Sequence, residues 1–422
     1  MRVHEADGPA DRCSHLPARQ NPDRTQTGHR PREGQITVSG DQEGHGAGHV
    51  PTLESRLPTV GVEEEYFLVD PATRALVPAA SRVVARAAAA LGDLVSGEFT
   101  TAQVEVKTSP CASMAELRAE LARVRTATAR AAEQEGLRLC ASGTPVIAPG
   151  TAVGVGDHPR YLAGKAQYRA MLDDFAISAF HAHVHLPDRD MAVLAGNHLR
   201  PWLPLLVALS ANSPFHCGTD TGYASWRAVI RLRFPCLGPP PYAASPAEHD
   251  RLAAAMAASE AMLDAGMPYW DIRPNPSVPT LEVRAMDVLA DIDDTVALTA
   301  LIRALVVTAA RAVELGDTGL PGSSELLRAA YWRAARDGWR GSGVDARSGL
   351  ITPFADQAAR LTNQLRPVLA EGGDLDLVTA FLRRLAARGG GADRQRSWRA
   401  ERAGLEGVVD GLLEATHPAS GR

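Results

Sequence analysis

Cysteine is rare in this chain: five in 422 residues, scattered, too few for a disulfide framework or a zinc ribbon. Lysine is nearly missing. Lys107 and Lys165 stand alone and every other basic residue is arginine, so any phosphate-binding cation should be arginine. No apolar run reaches the roughly 20 residues that span a bilayer. The longest candidate, Thr295–Leu315, is interrupted by Arg303 and Arg311. The N-terminal end lacks an apolar signal core, so a cytoplasmic protein without membrane attachment is expected. A net charge of −5, spread along the chain, argues against nucleic acid as a partner. No Walker A sequence is present: Gly150–Gly156 is glycine-rich but is not followed by the lysine and hydroxyl that motif needs. Nor does a Rossmann fingerprint follow any strand. What is there, 45% hydrophobic and 22% charged residues, is an ordinary globular balance.

Residues 1–57 contain no Phe, Trp or Tyr and cannot bury enough apolar surface to offset their ordering entropy. They are expected to form a disordered, dispensable tail. Its histidines (His4, His15, His29, His45, His49) lack the fixed spacing of a metal site. A catalytic domain is expected over 58–416, mostly helical from about 292, with a short tail at 417–422. Within it the hydrophobic pattern predicts strands at Thr59–Asp70, Glu98–Lys107, Leu137–Ser142, Ile177–Leu186, Tyr269–Arg273 and Thr280–Met286. Helices are expected at Ala80–Leu91, from Ser113 to Gly136, at Tyr161–Phe175 and at Met191–Ala211. Capping boxes at Ser113–Glu116 and Ser245–Glu248 mark two helix starts. Ser213–Tyr242 and Gly341–Pro353 read as irregular. Strands in pairs mixed with helices make the class α+β.

Alternate side chains share a strand face, and that sorting gathers chemistry. Glu63 and Glu65 lie opposite Val60, Val62, Tyr66 and Leu68. Thr101, Gln103 and Glu105 lie opposite Ala102, Val104 and Val106. His181, His183 and His185 oppose Ala182, Val184 and Leu186; Asp271 and Arg273 oppose Trp270 and Ile272; Glu282 and Arg284 oppose Leu281 and Val283. A solvated sheet face is one reading. A shared cavity fits better, because solvated faces mix in Lys, Thr and Ser, whereas these are Glu, His and Arg. Carboxylates in excess of His and Cys favour Mg²⁺ or Mn²⁺ over zinc, and nearby arginines suit phosphate. Together they indicate phosphoryl transfer from ATP. Glu64 falls on the apolar face and is not expected to bind metal. Cys111, Cys140, Cys217 and Cys236 read as small buried hydrophobes rather than nucleophiles.

The segments GVEEEYFLVD, SGTPVIAP, HAHVHL, SPFHCGTDTGYASWR and WDIRPNPSVPTLEVRAMD, in this order, with GADRQR near the end, resemble the type-2 glutamate–cysteine ligases. Within that family the chain is similar to the shorter bacterial carboxylate–amine ligases, from about Thr59 to Gln395. The resemblance implies a glutamine-synthetase-like catalytic fold, a curved antiparallel sheet forming a funnel with helices outside. It implies ATP-driven joining of a carboxylate to an amine through an acyl phosphate, with Mg²⁺ or Mn²⁺. Glutamate and cysteine would be the default substrates and a homodimer the expected assembly. Carried over by position, Glu63, Glu65, Glu105 and Glu282 would hold metal. Arg284, Arg227 and Arg273 would meet phosphoryl or carboxylate groups, and His183 and His185 would join in nucleotide binding. Glu105→Gln and Glu282→Gln would then spare the fold and weaken turnover. His181 departs from the family pattern, which has glycine there. Two other readings stand beside this one: a metal-dependent hydrolase using the His-x-His strand, and a non-catalytic relative of the ligases.

Overall fold

The computed structural model describes residues 57–150, 153–402 and 404–417. The expected 1–57 tail therefore lies outside the described residues except for Leu57, which packs against the core. Of the 417–422 tail only His417 is described.

One seven-stranded antiparallel sheet organises the chain. Its strands are β1 (Val60–Val69), β2 (Val95–Gly97), β3 (Gln103–Lys107), β4 (Arg138–Cys140), β5 (Ala179–His185), β8 (Ile272–Pro274) and β9 (Thr280–Asp287). The order is β2-β3-β1-β5-β9-β8, with β4 pairing the far end of β1. Two short hairpins stand apart: β6 (Phe215–His216) with β7 (Thr219–Asp220), and β10 (Ser342–Val344) with β11 (Ile351–Pro353). The α+β class is as expected.

The apolar face of the sheet is where the stability lies. Val60, Val62, Ala182, Val184, Leu281 and Val283 pack into a continuous core with the helices behind them. Those helices are chiefly α2 (Met114–Gln134), α4 (Arg189–Leu199), α5 (Leu203–Ser210) and α8 (Ile292–Glu314). Ser113 and Ser245 cap α2 and α7 (Pro246–Ala258) as their sequences predict. At 23 residues α8 is long and apolar enough to cross a membrane, but it is mostly buried inside the protein. Its Arg303 is neutralised by Asp374 at 2.6 Å and donates to the Ala112 carbonyl. Glu64 lies on this same face, fully buried, and is neutralised by Arg125 of α2. Tyr66 and Thr295 also donate to its carboxylate. It is structural, as its face predicted.

Several boundaries differ from expectation, each for a local reason. The strand expected over Glu98–Lys107 is the hairpin β2–β3, turning through residues 98–102 after Gly97. The helix expected over Met191–Ala211 breaks into α4 and α5 through a 3₁₀ turn at Arg200–Trp202, where Pro201 and Pro204 remove amide donors. The stretch read as irregular contains α6 (Trp226–Leu232), opened by Ser225, whose hydroxyl accepts from the Ala228 amide. The helix expected over Tyr161–Phe175 is α3 (Pro159–Tyr168) plus a 3₁₀ turn.

Candidate active site

The opposite face of the sheet carries the ionisable groups, and strand register brings them together. Glu65 is paired with Glu105, Glu63 with His181, and Glu282 with both His183 and Arg273. Directly opposed residues share a face, so five strands deliver one cluster. Glu63, Glu65, Glu105, His181, Arg273 and Arg284 floor a cleft of about 420 Å³, whereas His183 and Glu282 touch this cluster without lining the cleft themselves. The far wall is aromatic, including Phe99, Tyr161, Phe175, Phe234 and Tyr269, from α3 and the loops around it.

Three overlapping groups have donor atoms close enough to share a cation: Glu63, His183 and Glu282; Glu63, Glu105 and His181; and Glu65, Glu98 and Glu105. His181 Nδ1 is 3.0 Å from Glu63 and its Nε2 is 3.7 Å from Glu65. His183 Nδ1 is 3.0 Å from the Thr280 hydroxyl, while its Nε2 is buried with no hydrogen-bond partner, 3.6 Å from Glu63. Glu105 pairs with Lys107 at 2.9 Å and accepts from Ser96. The Ala179 amide donates to Glu65 at 2.7 Å.

Charge is unevenly matched here. Burial pushes the Glu105 carboxyl up, the Glu63 charge adds to it, and Lys107 offsets only part, leaving it at about 7. Glu98 is held well above the carboxylate range by burial and by Glu65 and Glu105. Glu63 goes the other way: burial opposes ionisation, but the hydrogen bond from His181 and the closeness of His183 hold it well below that range. Burial lowers His181, with Arg284 adding to the effect. His183 is raised, because Glu63 and Glu282 outweigh its burial. An acid cluster short of countercharge, beside a buried imidazole nitrogen without a partner, is suited to a cation. The donor set is mostly hard oxygen with some imidazole, which fits Mg²⁺ or Mn²⁺.

A pH dependence follows. Glu98 and Glu105 keep their protons in the folded chain to higher pH than the ~4.3 of an unperturbed glutamate. Between that value and about 7 the folded state binds more protons than the unfolded one, so their contribution to stability is lost as pH rises. A divalent cation needs the ionised carboxylates, so its stabilisation should grow over the same window. Melting curves with and without Mn²⁺ from pH 5.5 to 8 should show the cation-induced increment rising with pH. An increment independent of pH would place the cation elsewhere.

The arginines divide their roles. All four acceptor positions of fully buried Glu282 are engaged, by Arg273 Nε at 2.8 Å and Nη2 at 3.3 Å, by Asn275 at 2.8 Å, and by Arg284. Arg273 also donates to the Pro268 carbonyl, so its guanidinium holds Glu282 in place. Arg227 donates to the carbonyls of Arg284 and Ala285 and lies 3.7 Å from Asp287, bracing β9 while one edge lines the cleft. Burial and the neighbouring Arg231 lower it to about 10. Arg284 is the least enclosed of the three, and its Nε has no partner.

Other expectations are redirected. His185 is exposed at the strand end and does not line the cleft, so it is not brought to the site. Asp271 turns away to hold Arg231, and Gln103 is spent on Thr100, Ile177 and Ser178. Strand alternation missed Glu98: its even number matched the apolar set, but the turn breaks the period and carries it to the acids. Lys107, Arg160 and Tyr161 also line the cleft without a pattern to announce them. Cys111, Cys140 and Cys236 are buried and Cys217 is partly buried; burial raises all four thiols.

The C-terminal segment closes the site from behind. In α12 (Gly391–Glu401) Gln395 is fully buried and donates to both the carbonyl and the side-chain oxygen of Asn212 at 2.8 Å. Asn212 and Ser213 in turn bond Asp287, and the Ser213 hydroxyl accepts from the Arg227 amide. Gly391 packs so close to Asn212 that any side chain would collide with it.

Comparison with known proteins gives a consistent result. The sequence profile of "Glutamate-cysteine ligase family 2" matches residues 59–415. The chain is 44% identical over 344 residues to "Putative glutamate--cysteine ligase 2-2" of Mycolicibacterium vanbaalenii, covering 81% of this chain and 94% of that one. It is 43% identical over 363 residues to "Putative glutamate--cysteine ligase 2" of Salinispora arenicola, covering 86% and 96%. In fold it is similar to a bifunctional glutathione synthetase from Pasteurella multocida, with TM-score 0.65, 13% identity, and 86% of this chain on 52% of that one. It is likewise similar to a glutamate–cysteine ligase from Francisella tularensis in complex with AMP, with TM-score 0.60, 12% identity, and coverage of 86% and 90%. The glutamine-synthetase-like α+β fold expected from the sequence is thereby borne out.

Proposed function

The chain belongs to glutamate–cysteine ligase family 2, and from that premise we propose that it is a ligase joining an amino-acid carboxylate to an amine at the expense of ATP, through an acyl phosphate. Glutamate and cysteine are the substrates the family name suggests. The observation that carries this reading is the opposition, within one cleft, of acid–imidazole groups and an arginine with unspent donors. Mg²⁺ or Mn²⁺ would be held by Glu63, Glu65, Glu98 and Glu105 with His181 and His183, and Glu282 would join once Arg284 moves off it. Bound there, the cation would neutralise phosphate oxygens during transfer.

The chain's own residues do the rest. Arg284 swings from Glu282 to the transferred phosphoryl and stabilises its charge. Arg273 and Asn275 keep Glu282 fixed as Arg284 leaves, and Arg227 holds the β9 backbone from which Arg284 projects. The aromatic wall excludes water from the acyl phosphate, so that the amine captures it. A metal-dependent hydrolase of the His-x-His type needs further histidines on later strands, and the sequence has none between His249 and His417, which disfavours that reading.

The test is an isotope experiment. With glutamate labelled by ¹⁸O in its carboxylates, and cysteine with Mg-ATP, the released inorganic phosphate should carry one ¹⁸O and the nucleotide product should be ADP. Unlabelled phosphate, or AMP with pyrophosphate, overturns the acyl phosphate. If no pair from an amino-acid panel stimulates ATP consumption, the ligase reading itself fails.

A further inference from the structure

Among the described residues, buried arginines follow a rule with one exception. Arg125, Arg227, Arg231, Arg273 and Arg303 are all buried, and each has a carboxylate oxygen within 3.7 Å. Arg200 is equally enclosed, 3% exposed, yet no carboxylate among the described residues reaches it. Its Nε donates to the Pro240 carbonyl at 2.8 Å, and its two terminal nitrogens have no partner among the described residues. Arg200 lines two clefts, so an anion entering either would meet donors that no carboxylate of the described residues has claimed.

The surroundings say where that anion would lie. Two clefts outside the active site share Arg200 in their walls. One, of about 250 Å³, is also lined by Arg328, Phe234 and Trp270. The other, of about 220 Å³, is lined by Arg347 and Ser323. Ser323 caps α9 (Ser324–Asp337), so the positive end of that helix lies at this cleft. Arg328 and Arg347 are exposed and, like Arg200, have no carboxylate partner among the described residues. Three unmatched guanidiniums thus border adjoining clefts whose remaining walls are largely apolar.

We propose that these clefts form a second ligand site, which takes an organic oxyanion (a carboxylate or phosphate on an apolar body). Arg200 grips the charged group two-pronged, Arg328 closes over it from the same cleft, and the apolar part rests on Phe234 and Trp270. Phe234 and Leu237 line both this site and the active-site cleft. A molecule bound here therefore sits against the back of the catalytic wall. The site does not depend on which reaction the other cleft performs.

Two probes and two variants test it. Crystals soaked with 4-bromobenzoate should show bromine anomalous density beside Phe234 and Trp270, with the carboxylate on Arg200. In solution, 4-bromobenzoate and phenyl phosphate should each raise the melting temperature, and the larger response identifies the preferred headgroup. Arg328→Ala, an exposed change that leaves the fold alone, should weaken the better probe about tenfold, the loss of one charge-assisted contact. Arg200→Leu should abolish the response and leave the ligand-free melting temperature equal or higher, because an unmatched buried charge has gone. Bromine found only in the catalytic cleft, or equal probe affinity in wild type and Arg328→Ala, overturns the proposal. So does an Arg200→Leu protein that melts lower without ligand yet responds to the probes as wild type does.

Discussion

Arg125→Ala should lower the free energy of unfolding by about 3–5 kcal/mol, the usual cost of stripping one partner from a buried ion pair. Arg125 is 1% exposed and Glu64 not at all, so no water can take over when the guanidinium is removed. The loss reaches further than one pair. Arg125 also donates to the carbonyls of Leu289 and Ala290 at 3.0 and 2.8 Å, tying the end of β9 to α2 just before α8 begins. Against a total stability of roughly 5–15 kcal/mol for a domain, this is a severe lesion. Urea denaturation measures it. The companion double variant, Arg125→Met with Glu64→Leu, should recover most of the loss, since matched apolar replacement removes both charges together. A single-variant loss under about 1 kcal/mol, the value of an exposed pair, would show that water reaches the site.

Arg284→Lys should lose at least about tenfold in turnover while keeping its stability, a cautious part of the 10²–10³ that such groups contribute. The guanidinium now rests on Glu282, and a lysine could make that same single contact. What lysine cannot supply is the planar two-point grip on a phosphoryl group. Wild-type rate and ATP affinity in Arg284→Lys would return Arg284 to a purely structural part. The neighbours of Glu282 also change what its own substitution should do. Glu282→Gln was expected to spare the fold, but Glu282 is the shared countercharge of buried Arg273 and partly buried Arg284. Its amide would leave Arg273 and Arg284 facing each other unmatched, so stability should fall along with rate. Glu105→Gln carries no such burden.

The difference between these two glutamates shows what strand alternation can and cannot reveal. Alternation sees faces, and it sorted Glu63, Glu65, Glu105, His181, His183 and Glu282 correctly because each sits inside a regular strand. It placed Glu64 on the packed side for the same reason. It fails where the period breaks: at the turn that returns Glu98 to the acids, at the end of β5 where His185 escapes to solvent, and at Asp271, which precedes β8. It is also blind to partners from distant segments. Arg125 lies in a helix 61 residues from Glu64, and nothing in either local pattern announces the pairing. The helix α6 was hidden for another reason: seven residues among prolines and glycines offer too few turns for a period to show.

The buttress of α12 against Asn212 bears on how the protein is made. Glu63, in the central strand, is made well before Gln395, which secures the loop behind Arg227. At 5–20 residues per second, synthesis of the intervening stretch takes on the order of fifteen seconds to a minute. For the last 108 residues of that stretch, from the end of β9 at Asp287 to Gln395, the nascent chain holds a complete sheet whose arginine brace has no backing. A chain that stops before α12 would thus keep its sheet and its acids but leave the Asn212 loop behind Arg227 without its buttress.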